Sequence, residues 1–299
     1  MDRPTLRQLE YFSALAERLN FRKAAEACFV SQPTLSAQIA GLEAVLGVQL
    51  FERDRRGVRL TAAGEALLPG AREALSACDR LGQLARSFGA PLTGPLRVGA
   101  IPTVGPYLLP KVLPAVAEAF PNLQVYLRED MTGRLLEQLD AGKLDLLLLA
   151  IDLDLGSVET LPLFSDPFVL AVPARDELAG AEVAQVSDLD GRDILLLDEG
   201  HCLRDQALPF CTAAGADEMS GFRASSLGTI TQMVAAGLGV TLLPELAVER
   251  EAAAVPGLRT VPFGADGPSR QIGLAWRSSS PREAEYRTLA ETLQAAWLQ

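Results

Sequence analysis

Cysteine and histidine are scarce in this 299-residue chain, which holds four cysteines at irregular spacing, one histidine and no Cys-x-x-Cys pair. Such cysteines do not suggest a structural disulfide framework, so any disulfide here is expected to be transient, catalytic or sensory. A structural zinc site needs four ligands at short spacings. Only His201, Cys202 and Cys211 lie near one another, with Cys28 and Cys78 far off in sequence, so no metal and no cofactor are expected. Long apolar runs are missing too. The longest, around Leu144 to Ile151, contains Asp145 and is too short to span a bilayer. The opening Met1-Asp2-Arg3-Pro4 has no basic-then-apolar leader, so a cytoplasmic protein without a membrane partner is expected. No internal repeat or low-complexity tract is evident.

What is present is a chain with 48% hydrophobic and 22% charged residues, long enough for two or three domains. The net charge of −11 argues against a protein coated in nucleic acid, but it is unevenly spread. Residues 1–60 carry nine basic and seven acidic side chains, so a slightly basic module precedes a strongly acidic remainder.

The single histidine, His201, stands beside Cys202, in the run Gly200-His201-Cys202-Leu203-Arg204-Asp205, with Cys211 nine positions on. Thiols react as thiolates, and neighbouring cationic or hydrogen-bonding groups promote ionisation, so this setting suits a reactive sulfur with a second thiol near enough to trap its oxidised form. The competing reading is a buried, inert cysteine beside a hydrogen-bonded core histidine.

In the first 60 residues, Leu6, Leu9, Phe12, Leu15 and Leu19 recur at helical spacing, and Ala24, Ala25 and Cys28 fit a short second helix. After a turn at Phe29-Val30, Ser31 can cap a third helix that tolerates Pro33 in its first turn and turns Leu35, Ile39 and Leu42 inward. This is the layout of a helix-turn-helix. It leaves Ser31, Gln32, Thr34, Ser36 and Gln38 for base edges, while Arg53, Arg55, Arg56 and Arg59 around Gly57 suit a basic hairpin wing. An ordinary polar face and a solvated charge run are the plainer alternatives.

Leu67, Ala71, Ala74, Cys78, Leu81, Ala85 and Phe88 then recur in four-three steps, a heptad seam that fits a dimerising helix, which Pro69 is expected to kink or interrupt. Gly89 to Pro95 reads as a linker. Beyond it, strands are predicted at Leu96–Ile101, Gln124–Leu127, Leu144–Ile151, Phe168–Val172, Ile194–Leu197 and Val240–Leu243, alternating with helices. The expected fold is α/β, with one or two open, mostly parallel sheets and a ligand crevice at the strand ends.

Phe21-Arg22-Lys23-Ala24-Ala25, Ser31-Gln32-Pro33-Thr34-Leu35-Ser36, Leu42-Glu43, Leu46-Gly47-Val48 and Leu50-Phe51-Glu52-Arg53 resemble the DNA-binding signature of the LysR-type transcriptional regulators. The whole chain is similar to that family. Gly200 to Gln206 with Cys211, and Ile101-Pro102-Thr103-Val104-Gly105-Pro106-Tyr107, are similar to its hydrogen-peroxide-sensing, OxyR-type members. The resemblance implies a winged helix-turn-helix over 1–62, a linker helix over 63–90 and a periplasmic-binding-protein-like regulatory domain over 91–299. That domain would hold two Rossmann-like α/β subdomains, the first about 91–165 plus 269–299 and the second about 166–268. It also implies Cys202 as peroxidatic thiol, Cys211 as its resolving partner, and Thr103, Thr132, His201, Asp205 and Arg270 around the peroxide. The implied partners are double-stranded promoter DNA, hydrogen peroxide, RNA polymerase, cellular thiol reductants and further copies of the chain, as a homodimer or homotetramer.

On that basis Cys202 would attack one peroxide oxygen while the Thr103 hydroxyl and a water held by Asp205 serve the other. If Leu203 to Phe210 is helical, about 13 Å separates the thiols, and Pro209 is expected to disturb that helix. A disulfide needs Cα atoms within about 7 Å, so closure must unwind the segment. Two other functions compete: a LysR-type regulator of an organic acid effector with incidental cysteines, and a thiol peroxidase, which the missing Cys-x-x-Cys and the N-terminal layout disfavour.

Overall fold

Thr5 and Gln8 form a reciprocal capping box at the start of α1 (Leu6–Arg18), the first of four helices in the N-terminal unit. The computed structural model describes residues 3–54, 57–87, 91–219, 221–253, 255–264 and 267–298. The chain divides into two units, Met1–Phe88 and Gly89–Gln299.

In the first unit, α2 (Phe21–Ala27) is capped by Asn20, and α3 (Gln32–Leu46) by Ser31, whose hydroxyl accepts from the Thr34 N–H at 3.3 Å. The turn between them places Phe29 at φ 54° with 95% of its surface exposed. Gly47 ends α3 at φ 72°, a left-handed conformation that suits glycine. An antiparallel hairpin follows, β1 (Phe51–Asp54) with β2 (Gly57–Leu60). The core joins Phe12, Leu15, Leu35, Ile39, Leu42 and Leu50, with Phe12 edge-on to Phe51 at 5.6 Å.

Next, α4 (Ala62–Ser87) runs through Pro69 without a break. The expected interruption is therefore corrected: one hydrogen bond lost at proline does not end a helix anchored on both sides of it. Leu68 and Ala71 pack against the core of their own unit, so the start of the predicted seam serves that core. Leu67 and Leu81 face solvent, and the seam position Phe88 lies outside the described residues.

The second unit opens with β3 (Gly94–Ala100), α5 (Gly105–Ala119), β4 (Leu123–Glu129), α6 (Thr132–Asp140) and β5 (Leu146–Ala150), with β3 parallel to both β4 and β5. It continues through β6 (Val158–Pro173), β7 (Asp193–Ile194), α7 (Cys202–Ala213), β8 (Asp217–Glu218), α8 (Leu227–Ala236), β9 (Thr241–Pro244) and α9 (Glu245–Glu251). It closes with β10 (Leu258–Pro262), β11 (Ser269–Arg277) and α10 (Glu283–Trp297). Seven of these strands form one sheet in the order β10-β6-β11-β5-β3-β4, with β9 also on β6.

The sheet is mixed rather than mostly parallel, because β11 runs antiparallel to β5 and β6, and β6 antiparallel to β9 and β10. Apolar patterning found only the last third of β6. Its first part contains Pro162, Ser165, Asp166 and Pro167, and β11 begins Ser269-Arg270-Gln271, neither of which reads as a buried strand. Along β6, residues 158–167 pair with β11 and residues 168–173 pair with β9 or β10, so a single strand serves two ladders.

Candidate redox site

Cys202 is the first residue of α7, where free N–H groups and the helix dipole favour an anion. Gly200 delivers the chain to that point at φ 90°, and a Cβ there would stand 2.9 Å from Met131 Sδ, so both the backbone and the neighbouring methionine call for glycine. Cys202 and His201 are buried. With Ile101, Pro102, Thr103, Met131, Thr132 and Gly200 they line a hollow too tight for a water-sized sphere.

Two strands supply the cation. Arg270, on β11, has a fully buried guanidinium that pairs with Asp166 of β6, Nε and Nη2 meeting Oδ2 at 2.9 and 2.8 Å. Its other donors reach Thr103: Nη1 to Oγ1 and Nη2 to the carbonyl, both at 2.9 Å. Asp166 is held by the Leu246 N–H at 3.0 Å. A buried guanidinium needs such a partner set, and every member here belongs to a different element.

Burial pushes the Cys202 thiol above its ordinary pKa, while the Arg270 charge and the Thr132 hydroxyl pull it back. Thr132 Oγ1 lies near enough to favour the thiolate, yet makes no hydrogen bond of full geometry. His201 Nε2 is likewise buried without a partner, and burial lowers the imidazole pKa so that the neutral ring prevails. The Thr103 oxygen already accepts from Arg270, which leaves its own proton free to donate.

Cys211 lies nine residues along the same unbroken helix, fully buried, with burial pushing its pKa up to about 12. Pro209 is inside α7 and does not interrupt it. At a helical rise of about 1.5 Å per residue the two cysteines stand about 13 Å apart, as expected for the reduced form. Both thiols are free, as are Cys28 and Cys78.

Two expected neighbours act otherwise. Arg204 donates to both Glu218 oxygens at 2.8 Å, and Glu218 also pairs with Arg223, so this arginine is committed to an ion pair rather than to the sulfur. Asp205 is exposed on the first turn of α7, and its charge works against ionisation of Cys202. Sequence reading missed Asp166 and Met131. The stretch around Asp166 did not read as a strand, so nothing marked its aspartate as buried, and nothing pointed to Met131.

The DNA-binding candidates lie along one element. Ser31, Gln32, Pro33, Thr34 and Gln38 are exposed and Ser36 is half-buried, with Leu35, Ile39 and Leu42 beneath. The Ser31 and Thr34 hydroxyls are 2.7 Å apart, so both also serve the helix cap. Arg59 pairs with Glu52 at 3.3 Å across the hairpin. Arg55 and Arg56 lie outside the described residues, and of Arg53 only the backbone is described.

Comparison with known proteins matches residues 6–65 to the family model of bacterial regulatory helix-turn-helix proteins of the lysR family. Residues 89–298 match the LysR substrate binding domain. The DNA-binding transcriptional dual regulator OxyR of Escherichia coli is 48% identical over 290 residues, covering 97% of this chain and 95% of that protein. A solved full-length OxyR of Pseudomonas aeruginosa, a cysteine-to-aspartate variant, aligns at 38% identity with a TM-score of 0.76, covering 98% of this chain and 96% of the other. An H2O2-bound cysteine-to-serine variant of Corynebacterium glutamicum OxyR aligns at 41% identity with a TM-score of 0.67, covering 100% and 96%.

Proposed function

The chain belongs to the LysR family of bacterial transcription regulators, among its OxyR-type members, and from that membership we propose a hydrogen-peroxide switch seated on Cys202 and Cys211. It is a DNA-binding regulator and not an enzyme. The observation that carries the reading is the buried Asp166–Arg270–Thr103 chain delivered to a thiol at the start of the helix that also holds Cys211. The hollow at Cys202 has no room for an organic effector, which needs a cavity of about 300 Å³ or more.

In the first step the Cys202 thiolate attacks one peroxide oxygen, the S–O bond forms and the O–O bond breaks. The departing hydroxide takes a proton from the Thr103 hydroxyl, which Arg270 holds in place and which is reprotonated by the proton the Cys202 thiol gave up, so that water leaves and Thr103 is restored. His201 Nε2 and Thr132 Oγ1, buried and without full partners, are suited to orienting the incoming hydroxyls. In the second step the Cys211 thiol attacks the sulfenic sulfur, the S–S bond forms, and water leaves. Cellular thiol reductants reverse it by exchange.

Closing that bond requires α7 to open, and the repacked segment is the signal passed to the promoter-bound assembly, a dimer or tetramer joined in part along α4, and through it to RNA polymerase. The regulatory unit then works as two lobes, residues about 91–165 plus 269–299 and about 166–268, sharing β6. DNA contact falls to Gln32, Pro33, Thr34, Ser36 and Gln38 in the major groove, with Ser31 at the cap and Arg53, Arg55 and Arg56 on the wing.

The deciding experiment treats reduced protein with one equivalent of hydrogen peroxide and maps thiols by mass spectrometry, with Cys202→Ser and Cys211→Ser as controls. A fast Cys202–Cys211 disulfide supports the switch. An unreactive Cys202 returns the protein to regulators of small organic effectors.

A further inference from the structure

Asp152 ties the helix bearing both reactive thiols to the strand bearing Arg270. Its Oδ1 accepts from Gln206 Nε2 at 2.5 Å and its Oδ2 from the Gln271 backbone N–H at 3.1 Å. The adjacent Ile151 N–H donates to the Gln271 carbonyl at 2.8 Å, so the carboxylate stands on backbone already fixed to β11. Gln206 sits between Cys202 and Cys211 on α7, and among the described residues its own buried Oε1 has no hydrogen-bond partner, so Asp152 is what holds this amide.

Arg204 also tethers α7, through Glu218, but the two tethers end in different places. Glu218 is on β8, a two-residue strand just past the helix that pairs with the equally short β7, and β7 in turn is bonded to Val240 at the edge of β9. Asp152 stands two residues past β5, bonded to the first residues of β11. The Gln206–Asp152 bond thus joins the part that must move directly to the β5–β11 ladder, whereas the Arg204–Glu218 pair reaches the sheet only through two short strands.

Resting on the peroxide reading above, we infer that the Gln206–Asp152 hydrogen bond is a clasp that sets the rate of disulfide closure without affecting peroxide attack. Attack oxidises the Cys202 sulfur by two electrons to sulfenic acid and reduces peroxide to water, and it occurs with α7 intact. Closure forms S–S, breaks S–O and releases water carrying the Cys211 proton. It must bring Cα atoms about 13 Å apart to within about 7 Å. The helix opens for that step alone, so the clasp breaks for that step alone. Asp152 is thus a positioning residue that acts through α7.

The test uses the full chain with Asp152→Ala and reads the two steps separately. Sulfenic acid is trapped with dimedone in a Cys211→Ser background, and disulfide formation is followed by quenched-flow alkylation with both cysteines present. The expected result is an unchanged first step and a second step accelerated about fivefold, the scale of one solvent-facing hydrogen bond. Adding Gln206→Ala to Asp152→Ala should give no further acceleration of closure. An unchanged closure rate overturns the clasp, as does an equal shift of both steps, which would mark general loosening. Failure of the parent Cys211→Ser chain to form any sulfenic acid would instead fell the peroxide reading, and the clasp with it.

Discussion

Arg270 and Thr103 are joined at two points, Nη1 donating to the threonine hydroxyl oxygen and Nη2 to its carbonyl, both at 2.9 Å. The double contact fixes the Thr103 χ1 rotor and its backbone at once. With the oxygen occupied as an acceptor, the hydroxyl proton is the group Thr103 has to offer.

Removing that proton while keeping the volume isolates its contribution. Thr103→Val is expected to slow sulfenic acid formation about a hundredfold, the lower range for a positioned proton donor, and Thr103→Ser to restore most of it. Stopped-flow peroxide kinetics decide; a valine variant as fast as the parent would remove Thr103 from the proton path.

The Arg270–Asp166 pair is fully buried, so deleting one member leaves an uncompensated charge. Asp166→Leu is expected to cost about 3–5 kcal/mol in urea unfolding, and pairing it with Arg270→Met to recover most of that loss. The double variant should still react poorly with peroxide, because the thiolate has lost its cation. Full reactivity in the double variant would contradict the electrostatic role.

The pH dependence follows from burial. A thiol raised above its ordinary pKa is protonated at neutrality, so the peroxide rate should climb from about pH 6 to beyond about pH 9 instead of levelling off early. Arg270→Met removes the charge that lowers the pKa and should move the curve to higher pH. Cys211 carries a stability consequence of the same sign. Its folded pKa of about 12 exceeds the ordinary 9.0, so its contribution is complete below pH 9.0 and lost as pH rises toward 12. Urea midpoints taken along that range for Cys211→Ala should fall less steeply than those of the parent.

On α3, the proposed recognition helix, Gln32 and Gln38 are exposed and, among the described residues, make no side-chain bond that holds the helix together, unlike Ser31 and Thr34. Alanine at either glutamine should weaken operator binding by about 1–3 kcal/mol while leaving the affinity for random DNA nearly unchanged. Fluorescence anisotropy on both DNAs checks it, and an equal loss on the two would reassign the glutamines to backbone contact.

Leu81 is 67% exposed on α4, in step with Ala71 and Ala74. Charge placed there should disrupt a helix-to-helix seam. Leu81→Glu is expected to shift the protein toward monomer in analytical ultracentrifugation with its helix content intact, whereas an unaltered sedimentation profile would move the dimer contact off this helix.

Much of this was readable in the chain. The N-terminal helices announced themselves through Leu35, Ile39 and Leu42 at helical spacing behind a Ser31 cap, because local capping and burial are written in neighbouring residues. The wing was equally local, whereas α7 entered only as a condition attached to the cysteine spacing. What stayed hidden depended on distant partners. The first part of β6 and all of β11 were missed because Asp166 and Arg270 are tolerated in buried strands only through each other, and no local pattern shows a pairing across a hundred residues. The same limit misplaced Arg204, whose partner Glu218 is invisible to a reading centred on Cys202. Pro69 and Pro209 were overvalued, since flanking burial can hold a helix together across a single missing hydrogen bond.

In the proposed switch, the burial of Cys202 sets the noise floor. A thiol that burial holds toward its protonated form and shuts off from solvent has few ways to be oxidised by accident. False firing would be suppressed by the packing around the reactive atom itself, so a response built on single covalent events could be set low without being swamped by background.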